Sequence, residues 1–184
     1  QHGASSASTL TIAVAGANDA PVVATEDITG TVTEALTPLG NLSDSGTIAF
    51  SDVDLTDVHS VSAVTPSAGA LGSLTASVTA DTTGSGLGGV VTWNYSVAAS
   101  AVEFLAAGQT RVETFTFNVE DGQGGSVPRS VSVTIAGTND APDIQVVTTD
   151  SAAASLAETN TTLSASGTLT VTDADSANLA GATV

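Results

Sequence analysis

The sequence predicts an all-β protein, and three observations carry that expectation. Apolar and β-branched residues alternate with small polar ones at period two almost throughout, and no segment sustains a 3.6-residue period. Clusters of Gly, Pro, Asp and Ser interrupt the alternation at short intervals, as turns do. All six aromatic residues, Phe50, Trp93, Tyr95, Phe104, Phe115 and Phe117, fall in one central stretch of the 184-residue chain, which marks where a core can form.

Taken in order, strands are expected at 30–33, 47–51, 59–65, 73–80, 90–97, 112–120 and 130–136. In the fifth, Val91, Trp93, Tyr95 and Val97 share one face and Thr92, Asn94 and Ser96 the other, which turns the single Trp inward. Phe115, Phe117 and Val119 repeat that pattern in the sixth. Between them, residues 99–108, with Val102, Phe104 and Leu105, read as a short helical turn closing the open end. Seven short strands of this kind predict an immunoglobulin-like Greek-key sandwich.

The central stretch is one period of a repeat. Asn18-Asp-Ala-Pro21 recurs as Asn139-Asp-Ala-Pro142, an offset of 121 residues, and Thr9-Leu-Thr-Ile-Ala-Val-Ala-Gly16 aligns with Ser130-Val-Ser-Val-Thr-Ile-Ala-Gly137. At the same offset, Ser45-Gly-Thr-Ile-Ala-Phe-Ser-Asp-Val-Asp54 aligns with Ser166-Gly-Thr-Leu-Thr-Val-Thr-Asp-Ala-Asp175. Self-similarity in one register is the signature of a tandem array. The expected organisation is therefore the last strand of a preceding module in 1–17, a linker at 18–21, a complete module in 22–138, a linker at 139–142, and the first strands of a truncated module in 143–184, near 155–156 and 168–172. Terminal strands without their own module invite pairing with a neighbouring copy of the chain.

Composition excludes several functions. Nineteen acidic residues stand against Arg111 and Arg129, with no Lys, for a formal charge of −17. Phosphate recognition needs clustered Lys and Arg, so nucleic acid is excluded as a partner, and docking on anionic membranes fails for the same reason. Without Cys there are no disulfides, thiolate zinc sites or cysteine nucleophiles. No stretch reaches the ~20 apolar residues of a membrane-spanning helix.

Seven strands running up and down sort the acids by end. The loop after the second strand carries Asp52, Asp54 and Asp57, the loop after the sixth carries Glu120 and Asp121, and the incoming linker carries Asn18 and Asp19. All converge on one junction. Carboxylates brought together without basic partners repel, and a divalent cation relieves them. Calcium takes six to eight oxygen ligands in loose geometry, whereas magnesium demands a tighter octahedron and zinc prefers Cys or His. The segment Asp52-Val-Asp-Leu-Thr-Asp57 is not an EF-hand, because position 6 is Asp57 and position 12 is Ala63. Asp and Asn also favour turns for their own sake, yet Asp52 and Asp54 return as Asp173 and Asp175, each behind an Asn-Asp linker.

Glu34 after a Thr-x-Thr strand, Ser45-Gly-Thr-x-x-x-Ser-Asp-x-Asp54, Trp93-Asn-Tyr95, Val119-Glu-Asp-Gly-x-Gly-Gly125 and Ile135-Ala-Gly-Thr-Asn-Asp-Ala-Pro142 together resemble a VCBS repeat, a cadherin-like module found in tandem in very large bacterial surface adhesins. The resemblance implies a cadherin-like sandwich, extracellular display, export by type I secretion, and calcium between neighbouring modules. Carried over by position, the ligands it implies are Asn18, Asp19, Asp52, Asp54 and Asp121 at the first junction, and Glu34, Asn139, Asp140, Asp173 and Asp175 at the second. The Asp-Arg-Glu motif of animal cadherins is missing, and Gly108-Gln109 stands in the loop where it is expected.

No catalytic constellation competes. Gly84-Ser-Gly-Leu-Gly-Gly89 matches a dinucleotide-binding pattern but precedes a strand instead of the helix whose N-terminus would hold phosphate. Gly122-Gln-Gly-Gly125 reads as a turn, and His59 as a solvated or capping residue without a nucleophile elbow. Glu103 and Glu113 lack the exposed aromatics of a sugar cleft. The expected function is a calcium-rigidified structural extender of a surface adhesin, with a ligand- or carbohydrate-binding module as the alternative and no enzymatic activity.

Overall fold

The computed structural model describes Gly3 and residues 6–175. Nearly all regular structure is strand: β1 (Val22–Glu26), β2 (Thr29–Thr33), β3 (Asn41–Ser51), β4 (Ser60–Val61), β5 (Thr65–Pro66), β6 (Ser73–Ala80), β7 (Gly89–Ala98), β8 (Thr110–Glu120), β9 (Ser126–Ala136), β10 (Asp143–Gln145) and β11 (Thr170–Thr172). One 3-10 turn, Ala99–Ala101, follows β7, inside the segment where the sequence predicts a helical turn. One sheet runs β1-β3-β7-β6 and a second runs β2-β9-β8-β4, with β5 also on β8. Every pairing is antiparallel except that of β2 with β9.

The two sheets share one core. Ile48, Phe50, Leu74, Val91, Trp93, Tyr95 and Val97 enter it from the first sheet, and Val32, Phe115, Phe117, Val119, Val131, Val133 and Ile135 from the second. The inward faces read from β7 and β8 are thus the buried ones. Burying ~25 cal/mol per Å² of apolar surface makes this alternation the main stabilising term. Trp93 is fully buried, and Gly46, its cross-strand partner in β3, has no side chain because a Cβ would strike the indole. The indole Nε1 donates to the Asp27 carbonyl at 2.6 Å, so the polar edge of the ring is satisfied.

Asp27 is where the chain changes sheets. Its N–H donates to Thr47 in β3, while the next carbonyl, Ile28, accepts from Ser132 in β9. The strand expected at 30–33 is β2, and β1 is an additional strand before it, paired in the other sheet. The third expected strand, 59–65, is split. Ser62 supplies its side-chain Oγ to the Asn118 N–H at 2.9 Å, replacing a ladder acceptor, so β4 stops and β5 resumes after three intervening residues. By contrast, β6 coincides with the expected 73–80. Gly84, Gly86 and Gly88 all take positive φ in the loop between β6 and β7, which is a turn.

The flanks differ from expectation. Residues 6–17 form no strand, and Leu10, Ile12 and Val14, which align with the fully buried Val131, Val133 and Ile135, are more than 70% exposed. A strand of the β9 type is bonded on both sides, and 6–17 has no such neighbours. No strand forms at 155–156 either; instead β10 pairs with β11. That pairing matches Asp143 with Thr172 and Ile144 with Val171, and β1 matches Val22 with Ser51 and Val23 with Phe50, the same register 121 residues earlier.

Candidate metal centre

Acidic side chains gather at two places, one at each end of the sandwich. At the leading end, the β3–β4 loop presents Asp52, Asp54 and Asp57, whose carboxylate oxygens lie within 4.8 Å of one another. The loop is shaped by its own acids: the Asp54 N–H donates to Asp52 Oδ1 at 2.9 Å, and the Asp57 N–H to the Asp54 carbonyl at 3.1 Å. The incoming linker joins them. Asp19 donates its backbone N–H to Asp54 Oδ2 at 2.7 Å, with its own carboxylate exposed, and Asn18 Nδ2 donates to Asp121 Oδ2 at 2.8 Å.

Asp121 opens the β8–β9 turn and is buried. Its Oδ1 accepts the N–H groups of Gln123 and Gly125 at 2.7 and 2.9 Å. Burial opposes ionisation there, but the bonds from Asn18, Gln123 and Gly125 outweigh it and hold the carboxyl below its ordinary range. Gly125 is required for this closeness, because a Cβ would overlap Asp121 Oδ2 and come within 2.9 Å of Ala20 Cα in the linker. Asp57 is the opposite case. It is 4% exposed, its Oδ2 has no hydrogen-bond partner, and burial followed by the charges of Asp54, Asp121 and Asp52 pushes its pKa up. A buried carboxylate oxygen without a donor is costly, and either a proton or a cation would relieve it.

Behind this cluster sits His59, 6% exposed. Its Nε2 meets Asp52 Oδ2 at 3.1 Å and its Nδ1 meets Asp81 Oδ1 at 2.7 Å. Burial alone would lower its pKa; the bonds to Asp52 and Asp81 outweigh that and raise it. The solvated or capping role expected for His59 is therefore corrected. Its strand-start position leads away from solvent because the β6–β7 loop folds Asp81 over it.

At the trailing end two of these bonds recur with every number raised by 121. The Asp140 N–H donates to Asp175 Oδ2 at 2.9 Å, and the Asp175 N–H to Asp173 Oδ1 at 3.0 Å. Asn139 turns its Nδ2 to the Asp140 carbonyl at 2.7 Å. Here the preceding module contributes as well. Glu34, directly after β2 and 3% exposed, accepts the Thr138 N–H on Oε2 at 2.7 Å, while its Oε1 has no partner. Carboxylate oxygens of Glu34, Glu103 and Asp140 lie within 4.8 Å of one another. Burial, then the charges of Asp140, Glu34 and Asp175, raises the pKa of Glu103, and its Oε1 is unpartnered like Asp140 Oδ2.

Each residue expected as a ligand thus stands at one of the two clusters, and two further acids join them. Asp57 escapes a repeat-based search because its counterpart is Asn178. Glu103 escapes because it rides the turn after β7, with nothing in its local sequence to mark it. Glu113 is engaged elsewhere, accepting from Leu71 N, Gly72 N and Tyr95 Oη.

Residues of this kind fit a hard, oxygen-seeking cation: carboxylates, Asn side chains and backbone carbonyls in irregular loops, with no thiolate and, among the described residues, no His free to ligate. No helix among the described residues is long and apolar enough to cross a membrane. No protein-family model and no curated protein sequence matches the chain. Among solved structures it is similar to the N-terminal domain of PorA, at 12% identity and a TM-score of 0.37 over 64% of this chain and 96% of that one. It is similar also to AggA, the major subunit of aggregative adherence fimbriae type I from Escherichia coli, at 13% identity and a TM-score of 0.33 over 66% of this chain and 98% of that one. These are remote likenesses between β-rich chains, and the functional reading rests on the two acidic clusters instead.

Proposed function

We propose that the chain is a calcium-rigidified extender segment of a bacterial surface adhesin, in which cations at the two acidic clusters lock successive modules end to end. The observation that carries the reading is the recurrence of one hydrogen-bonded acidic junction 121 residues apart, each copy beside a buried carboxylate oxygen without a donor, Asp57 Oδ2 and Glu34 Oε1. Calcium would be held by Asp52, Asp54, Asp57 and Asp121 with the Asn18-Asp19 linker at the leading junction. At the trailing junction it would be held by Glu34, Glu103 and Asp140 with Asn139, Asp173 and Asp175. It would supply charge neutralisation and a rigid crosslink between linker and loops.

Further support comes from the strand order. With the first strand shared between β1 and β2, the two sheets order as an immunoglobulin-like or cadherin-like sandwich would, with β2 and β9 parallel. The outward positions of β3, β6 and β7 are Ser, Thr and Asn apart from Ala49, Val90 and Ala98, with no aromatic anchor of the kind that dominates a binding interface. The resemblance to VCBS modules carries the extracellular setting and type I export.

Extracellular calcium sites bind at ~10⁻⁴ to 10⁻³ M, so a few millimolar calcium adds about 1 to 2 kcal/mol per site. Differential scanning calorimetry in calcium and in chelator tests this. The melting temperature is expected to rise with calcium and to respond less in Asp52→Ala; identical melting in both conditions overturns the reading.

A further inference from the structure

We infer that the buried pair His59 and Asp81 positions the Asp52 carboxylate for cation binding, which makes the leading junction the tighter of the two; this rests on the calcium reading above. The arrangement is a chain of three side chains. Asp81 leads it from the β6–β7 loop, with Oδ1 accepting the Thr82 N–H at 2.7 Å and Oδ2 accepting the His59 N–H at 3.1 Å. Its Oδ1 also faces His59 Nδ1, and the opposite ring nitrogen, Nε2, faces Asp52 Oδ2. Each ring nitrogen thus faces a carboxylate oxygen, so the orientation of the imidazole is held at both ends. The Phe50 ring, 4.9 Å away between centroids and tilted by 54°, closes on it from the core.

The consequence falls on Asp52. One oxygen is held by His59 and the other by the Asp54 N–H, so the carboxylate has no rotational freedom left. The lone pairs that remain are presented to the space shared with Asp54 and the unpartnered Asp57 Oδ2. Partners that orient a metal ligand in this way commonly contribute 10–100-fold in affinity. The trailing junction keeps the bond between the Asp175 N–H and Asp173 Oδ1, but the residue in register with His59 is Ala180. An alanine side chain donates no hydrogen bond, so the sequence repeats the acids of this loop without the imidazole.

The test titrates calcium into the whole chain and follows backbone amides by heteronuclear NMR. Gln123 and Gly125, which donate to Asp121, report the leading junction; Thr138 and Asp140, which donate to Glu34 and Asp175, report the trailing one. In the native chain the leading amides are expected to reach their midpoint at lower calcium. His59→Leu keeps bulk against Phe50 but donates nothing, and should raise the leading midpoint about tenfold while leaving the trailing midpoint where it was. His59→Gln restores a donor and should recover part of the loss, which a packing role alone would not produce. Asp81→Asn, which leaves the ring in place but weakens its anchor, should move the leading midpoint in the same direction and serves if His59→Leu fails to fold. Leading midpoints equal to native in folded His59→Leu, or in Asp81→Asn, overturn the inference. Absence of any calcium response at both junctions of the native chain instead defeats the calcium reading beneath it.

Discussion

Glu113 is the most heavily used carboxylate in the core region, and it shows how single residues set the behaviour of this molecule. It is 1% exposed and accepts from Leu71 N, Gly72 N, Tyr95 Oη and Arg111 Nε, so it fastens the loop before β6 to β7 and β8. Burial opposes its ionisation, but the bonds from Leu71, Gly72, Tyr95 and Arg111 outweigh it and lower its pKa. A depressed carboxyl contributes stability that is present above the unfolded value of about 4.5 and is lost as pH falls through the folded one. Glu113→Gln is therefore expected to cost about 1 to 3 kcal/mol near neutral pH, with the gap from native closing below pH ~4.5; denaturant melts across that range would show it, and a constant gap would contradict it. Asp57 behaves in the reverse sense, since its neighbours repel it. Asp57→Asn should raise the melting temperature in chelator and reduce the rise on adding calcium, whereas a fall in chelator would show that Asp57 is a structural acid.

At the level of elements, strands whose faces are both settled by the core were legible, and those settled by their neighbours were not. β6 lies where 73–80 was expected, and β7, β8 and β9 differ only in their ends, because inward rows such as Val91-Trp93-Tyr95 state their own orientation. β1 was not legible: Val22–Glu26 is an edge strand, largely exposed, and its existence depends on the crossing at Asp27 that Thr47 and Ser132 enforce. The site divided in the same way. Asp52, Asp54 and Asp121 are marked by the repeat and by turn chemistry, while Glu103 and the burial of His59 are decided by loops that only the folded chain brings near. The pairing of β10 with β11 stands at the weak end of this scale, as two-stranded pieces are marginal in water. Asp150 is its main fastening, with Oδ2 accepting from Val147 N and Thr170 N and Oδ1 from Thr170 Oγ1. Hydrogen exchange should therefore be much faster in 143–172 than in β7 and β8, with Asp150→Ala accelerating Thr170; protection in 143–172 equal to that of β7 and β8 would show that the segment folds unaided.

For the whole molecule, the two clusters lie at opposite ends of one sandwich, and their acids come from different parts of the chain. Glu34 and Glu103 belong to the loops at the trailing end, Asp140 to the 139–142 segment, and Asp173 and Asp175 to the segment beyond it. A single cation touching all three, as proposed above, would fix the direction in which the chain leaves. Without it, Glu34, Glu103 and Asp140 are like charges within 4.8 Å, in a chain of formal charge −17 that holds no Lys to relieve them. The cheapest relief is to swing the following segment away, since the linker 139–142 has few backbone bonds to break. Calcium is thus expected to control shape more strongly than it controls the core, whose apolar contacts do not depend on it. Small-angle scattering on a chain carrying two complete modules should give a larger maximum dimension and a narrower distribution in calcium than in chelator. Glu34→Gln combined with Glu103→Gln should remove that difference, because both oxygens that tie the first module to the linker's cation are weakened together. Identical dimensions in calcium and chelator for the native chain would mean that the clusters bind without stiffening, and the extender reading would lose its mechanical basis.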